Sequence, residues 1–72
     1  MSEIAFALRG YHIPLDGLLK ACGLAGSGGA AKALVAQGQV QVDGAVELRK
    51  TCKIRADQVV RLGDVTVRVH AE

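Results

Sequence analysis

Aromatic side chains are nearly missing from this chain: Phe6 and Tyr11 are the only two in 72 residues, and tryptophan is absent. Modules that read single strands by stacking successive bases need several rings on one surface, so that mode is disfavoured. The core must instead come from Ala, Val and Leu, which supply most of the 50% apolar content. No apolar run approaches the ~20 residues of a membrane span. No basic-then-apolar leader opens the chain, so a soluble cytoplasmic protein is expected. Cysteine is sparse as well. Cys22 and Cys52 stand 30 positions apart without a C-x-x-C pair. With His12 and His70 they match none of the usual zinc spacings, which place two ligands two to five residues apart. Free thiols, no metal and no cofactor are expected.

Catalytic groupings are also lacking. There is no Ser-His-acid set at useful spacing, and Asp16, Asp43, Asp57 and Asp64 all have structural explanations on a helix, in turns or in a loop. His12 and His70 lie toward the two ends and read as surface residues. A chain of this length folds as one domain spanning 1–72 and buries only roughly 60% of the surface its unfolded form exposes. That leaves little space for a core and a deep pocket together. An enzyme is not expected.

What is present is local order. Ile4, Phe6 and Leu8 alternate with Glu3, Ala5, Ala7 and Arg9, predicting a half-buried strand over 4–9. Pro14 suits the first turn of a helix in which Leu15, Leu18, Leu19 and Cys22 form one face and Asp16 and Lys20 pair at i, i+4. Gly23 ends it. Ser27 is a good N-cap for a second helix running to about Gln37, with Ala31, Leu34 and Val35 inward and Gly38 as its stop. Gln39 to Val42 reads as a strand, and Asp43-Gly44 as a two-residue hairpin turn. That turn pairs Gln41 with Val46 and Val40 with Glu47, mixing polar and apolar partners, so a short hairpin is expected with Leu48 leaving the ladder. Val59 to Leu62 and a final alternating strand over 65–70 complete the set, joined by Gly63-Asp64. The fold class is α+β: two short helices on a small, mostly antiparallel β-sheet with a hairpin.

The glycine run satisfies G-x-G-x-x-A at Gly26, Gly28 and Ala31, but a helix precedes it where a dinucleotide fingerprint needs a strand. A P-loop ending is missing too, since Lys32 lies between alanines. A more general property survives. Gly28 and Gly29 leave the first turn of the second helix bare, so its N–H groups can approach an anion, with Lys32 one turn later as a point charge. The same glycines equally permit close helix packing.

Charge is mildly basic at +2, but its distribution is uneven. Arg49, Lys50, Lys53, Arg55 and Arg61 face one acid, Asp57, in that stretch, a local +4 that leaves −2 for the rest. One basic segment on a near-neutral body is the pattern of a domain that touches a polyanion on one side, or else of a solvated loop. With so few rings available, contact would run through phosphates and 2′-hydroxyls from Lys32, Arg49, Lys50, Lys53 and Arg55, with Gln39 and Gln41 as neutral donors.

These residues resemble a known family. Leu15-Asp16 followed by Leu18 and Leu19, Gly23-Leu24, Ser27, Ala31-Lys32, and Gln37-Gly38-x-Val40-x-Val42-Asp43-Gly44 are similar to the alpha-L RNA-binding domain. That domain was first known from the fourth small-subunit ribosomal protein. It recurs in pseudouridine synthases, tyrosyl-tRNA synthetases and a ribosome-associated heat-shock protein. The likeness covers about 50 of the 72 residues, with a motif core over 15–64. Ser27-Gly28-Gly29-Ala30-Ala31-Lys32 and Glu47-Leu48-Arg49-Lys50-x-Cys52-Lys53-Ile54 resemble more closely a stand-alone bacterial subgroup, the YbcJ-like proteins. The resemblance implies an RNA-facing surface of Leu15, Asp16 and Lys20 on the first helix and Ser27, Gly28, Gly29 and Lys32 on the second. Gln39, Val40, Gln41, Val42 and Asp43 extend it along the strand. The wider family mostly has arginine where this chain has Gly28 and Lys32, so a planar fork gives way to bare backbone and a point charge. The implied function is non-catalytic binding of structured RNA, ribosomal or transfer RNA, with the ribosome or RNA-modifying enzymes as partners. The rival expectation is a protein-interaction module or an accessory subunit of such a complex.

Overall fold

Apolar residues at every second position produce the first strand, β1 (Ser2–Leu8), with Leu8 buried and Ile4 and Phe6 packed against the core. A computed structural model describes residues 2–72. After β1 the chain turns at Gly10 (φ +79°), forms the short strand β2 (Ile13–Pro14) and enters helix α1 (Leu15–Ala21). Helix α2 (Gly28–Ala36) follows. The remaining elements are β3 (Val40–Val42), β4 (Ala45–Val46), β5 (Lys53–Ile54), β6 (Val59–Leu62) and β7 (Val65–Ala71). Five strands form one sheet in the order β1-β7-β6-β3-β4, while β2 and β5 pair separately.

Both helices end as their glycines predict. In α1 the Gly23 N–H donates to the Lys20 carbonyl and the Leu24 N–H to Leu19; in α2 Gly38 and Gln39 donate to Val35 and Leu34. These are the paired bonds of a Schellman cap, and Gly23 (φ +74°) and Gly38 (φ +73°) take the left-handed conformation it requires. Ser27 caps α2 by accepting the Ala30 N–H at 3.1 Å. The hairpin turn has φ +51° at Asp43 and +86° at Gly44, the primed geometry that matches strand twist. Its ladder is short: Gln41 pairs Val46, Val42 pairs Ala45, the Glu47 N–H reaches the Val40 carbonyl, and Leu48 departs.

Two expectations at α1 need correction. Pro14 sits at the N-cap with extended backbone (φ −61°, ψ 145°), outside the helix, because it is already paired with Lys53 in the β2–β5 ladder. Asp16 makes no ion pair with Lys20; its Oδ1 accepts the Gly17 N–H at 2.9 Å. The expected first strand over 4–9 also starts earlier and ends one residue sooner.

The sheet's inner face carries Val40, Val60, Val67 and Val69, against which α1 sets Leu15, Leu18 and Leu19 and α2 sets Ala31 and Val35. No polar side chain among the described residues is buried. Fully burying each of these leucines or valines contributes about 1.5–3 kcal/mol, so a small aliphatic core suffices to hold the layers. The other face of the sheet is polar. Glu3, Thr66, Arg61, Gln41 and Val46 lie in one cross-strand row, opposite the helices.

Candidate nucleic-acid interface

The basic segment is not a free loop. From the hairpin it passes Gly38 at the end of α2, where a Cβ would lie 3.8 Å from both Val46 and Leu48. It then meets the beginning of α1. The Leu15 N–H donates to the Cys52 carbonyl at 2.9 Å and the Asp16 N–H to the Lys50 carbonyl at 3.0 Å. With Gly17 bonded to the Asp16 carboxylate, the first three donors of α1 are all taken within the chain. The start of α1, where the resemblance places Leu15 and Asp16 on the RNA-facing surface, therefore offers no free N–H to a phosphate. These bonds instead fix Lys50 and Lys53 in place beside the helix.

At α2 the balance differs. Ser27 accepts from Ala30 and Ala31, leaving Gly28 and Gly29 at the two first helical positions, whose N–H groups have no partner within a helix. A Cβ at Gly28 would meet nothing within 4 Å, and one at Gly29 only the Ser27 hydroxyl at 3.8 Å. Close helix packing thus does not explain these glycines. Lys32 stands one turn on, exposed.

Cations separate by partner. Arg9 pairs with Glu72, Arg68 with Glu3 and Arg49 with Glu47. Among the described residues, Lys20, Lys32, Lys50, Lys53, Arg55 and Arg61 make no ion pair, and all are exposed. Five of the six belong to the helices or to the segment bonded to α1. Only Arg61 lies on the outer face of the sheet. Arg49, Lys53 and Arg55 line one open cleft of about 630 Å³ together with Thr51, Cys52 and Gln58.

A family model for the S4 domain matches residues 6–70. The chain belongs to the S4 domain family. It is 52% identical over 60 residues to YbcJ of Escherichia coli (strain K12), whose designation as RNA-binding is provisional, covering 83% of this chain and 86% of that protein. The uncharacterised YbcJ of Shigella flexneri matches to the same extent. The solution structure of E. coli YbcJ superposes with a TM-score of 0.67 at 44% identity, covering 99% of this chain and 89% of that one. That structure is described as revealing an alpha-L motif involved in RNA binding. The two-helix unit and its hairpin are thus the alpha-L motif of an S4 domain, as the sequence resemblance implied.

Within this S4 domain, not every residue implied by the resemblance presents a side chain. Leu15 and Val40 are fully buried, so their side chains belong to the core and face no ligand. Val42 is half-buried against the same core. Gln41 projects from the outer sheet face beside Arg61, away from the helical cations. Gln39 is exposed and donates to Gln37 at 2.6 Å. The Asp43 carboxylate accepts from Gln58 Nε2 and the Val59 N–H, both at 3.0 Å, and these bonds hold it below the usual carboxylate range.

Gln58 is a residue that sequence reasoning passed over. Its Oε1 accepts the Arg55 N–H at 2.7 Å while its amide grips Asp43, so one side chain ties the hairpin turn to the basic segment. Only the tertiary fold brings positions 43 and 58 together. Glu47 is another. Its carboxylate accepts the Arg49 N–H at 3.0 Å and Nε at 3.3 Å, and is pushed down to about 2, first by the backbone bond and then by the guanidinium. Arg49 is thereby partly neutralised. Burial pushes the Cys52 and Cys22 thiols up, which keeps both as neutral thiols near pH 7.

Proposed function

We propose that this protein binds structured RNA, without catalysis, through phosphate contacts made on its helical side. The reading rests on one observation above all: five of the six unpaired cations lie on the helices or the segment bonded to them. Membership of the S4 domain family and the alpha-L motif of the E. coli relative support it. Lys32 and the N–H groups of Gly28 and Gly29 form one contact point. Lys50, Lys53 and Arg55 form a second, with Arg49 as a partly neutralised neighbour. The first stands at the start of α2 and the second beside the start of α1. A rigid pair of phosphate contacts at fixed separation reads the shape of a folded RNA more than its sequence. Ribosomal or transfer RNA in the cytoplasm is the target class this favours.

Binding to total RNA and to matched duplex DNA at two salt concentrations tests the proposal. Retention of RNA over DNA should fall with a log–log salt slope of roughly −2 to −4, for about three to five neutralised phosphates. Changing Lys32, Lys50 and Lys53 to Ala should abolish it. Absence of retention at low salt would overturn the reading.

One observation favours a different occupant. Val46 and Leu48 are 55% and 63% exposed beside the basic segment, an apolar pair suited to a protein partner. Docking there would be insensitive to salt, so the same titration separates the two.

A further inference from the structure

The two edges of the five-stranded sheet are unlike. At one edge β4 is two residues long, too short to template another strand. At the other, β1 runs for seven residues and is paired on one side only, with β7. Its register with β7 is unbroken by any bulge, and it contains no Pro, Gly or Lys, so the usual devices that blunt an edge are missing. The Ser2 N–H donates to the Asp64 carbonyl and the Leu8 carbonyl accepts the Glu72 N–H, so even-numbered residues turn their backbone groups toward β7. Glu3, Ala5 and Ala7 therefore turn theirs to the open side. The side chains along this edge have a palindromic order. About Phe6, Ala5 answers Ala7, Ile4 answers Leu8, and the acid Glu3 answers the base Arg9.

We propose that β1 pairs antiparallel with β1 of a second copy of this chain, with Phe6 opposite Phe6 of the partner on a two-fold axis. In that register Glu3 faces Arg9 of the partner and Ala5 faces Ala7 of the partner, so the outward-turned residues exchange backbone bonds. Ile4 faces Leu8 of the partner, and the two Phe6 residues meet as a non-hydrogen-bonded pair with Cα atoms about 4.5 Å apart. The apolar side chains all fall on the inner face, where Ile4 and Phe6 are only partly buried by their own core. A groove of about 360 Å³ lies there, lined by Phe6, Leu8, Ile13 and Pro14 among others but by no residue of β7, so it opens on the unpaired side of β1. The partner's Ile4, opposite Leu8, is the side chain placed to enter it. Charge selects this register. Centring the pair on Ala5 would set Glu3 against Ala7 and leave Arg9 unmatched. Within each chain Arg68 takes Oε1 of Glu3 and Glu72 takes Nε of Arg9, which leaves the other carboxylate oxygen and the terminal guanidinium nitrogens for the partner. The contact is isologous and closes at two copies. It does not rest on the RNA-binding reading, and it leaves the β3–β4 hairpin uncovered at the opposite edge.

Equilibrium sedimentation of the full chain at rising concentration should show the mass approaching two chains and stopping there. Ala5→Pro removes an outward N–H and no bond to β7, so it should remain a single chain while keeping the folded spectrum of the wild type. If Ala5→Pro does not fold, the charge variants decide. Glu3→Arg and Arg9→Glu each set like charges together at both ends of the paired strands. Each should dimerise about 2- to 30-fold more weakly, for the loss of two cross-strand charge pairs. An equimolar mixture of the two variants should recover the wild-type affinity, because the basic strand of one then meets the acidic strand of the other. In a sample mixing isotope-labelled and unlabelled chains, NMR contacts between chains should link Ile4 to Leu8. Contacts linking Ile4 to Phe6 instead, a dimer that Ala5→Pro leaves intact, a mixture no tighter than its components, or growth beyond two chains would each overturn the proposal. So would a single chain at every concentration, which would leave this edge to an extended segment of another protein.

Discussion

Glu47 illustrates how one side chain sets the charge of a surface. Its carboxylate is held down to about 2 by the Arg49 N–H and guanidinium, against an ordinary value of 4.5. A carboxylate depressed in the folded state contributes stability that is fully present above about 4.5 and is lost as pH falls toward 2. An NMR titration should therefore place the Glu47 midpoint near 2, and Glu47→Gln should flatten the decline of stability between those two pH values. At neutral pH the same substitution frees Arg49, so RNA affinity should rise and the salt slope steepen by up to about one unit. An unchanged slope would mean that Arg49 stands outside the contact. The acidity of this site was not apparent from residue order, because Glu47 precedes the basic segment and was not counted with it.

The second helix is the element on which stability and binding pull apart. Ser27→Ala removes the side-chain acceptor for Ala30 and should cost about 1 kcal/mol, read as a lower denaturant midpoint. Gly28→Ala acts in the opposite sense. The position has ordinary backbone geometry and open space for a Cβ, so the substitution should stabilise by roughly 0.4–1 kcal/mol through the unfolded chain. It should nonetheless weaken RNA binding, because a methyl group then stands in front of the N–H donors. A variant both more stable and no weaker in binding would remove α2's N-terminus from the interface. Both caps of this helix were legible in the sequence, since Ser27 and Gly38 act on their own neighbours. The start of α1 was not. Its donors are satisfied by carbonyls of Lys50 and Cys52, more than thirty residues away.

Across the whole molecule, the sheet divides charge into two sides. Arg68 on the outer face is bonded to Glu3 at 2.9 Å, whereas the helical side holds Lys20, Lys32, Lys50, Lys53 and Arg55 unpaired. Arg68→Ala should therefore leave RNA binding within about twofold, while Lys50→Ala with Lys53→Ala should lower the magnitude of the salt slope by about two. Equal losses from both would indicate diffuse attraction by net charge, not a face. Gln41 and Arg61 on the outer face provide a further internal control.

Residue order determined what neighbours along the chain can settle. The two helices, both caps of α2 and the C-terminal cap of α1, the primed turn at Asp43-Gly44, the short hairpin and the basic segment all follow from contacts within a few residues. The alpha-L motif was recognisable for the same reason. Tertiary structure decided the rest. β1 lies parallel to β7, Ser2 opposite Val65 through Leu8 opposite Ala71, and no local signal couples strands so far apart in the chain. The two-residue ladders of β2 and β5 are too short to leave a periodic pattern, yet they hold the basic segment beside the start of α1. Burial removed the side chains of Leu15 and Val40 from the surface, and ion pairing selected which cations remain free. Both outcomes depend on distances across the folded chain, which spacing in the sequence does not contain.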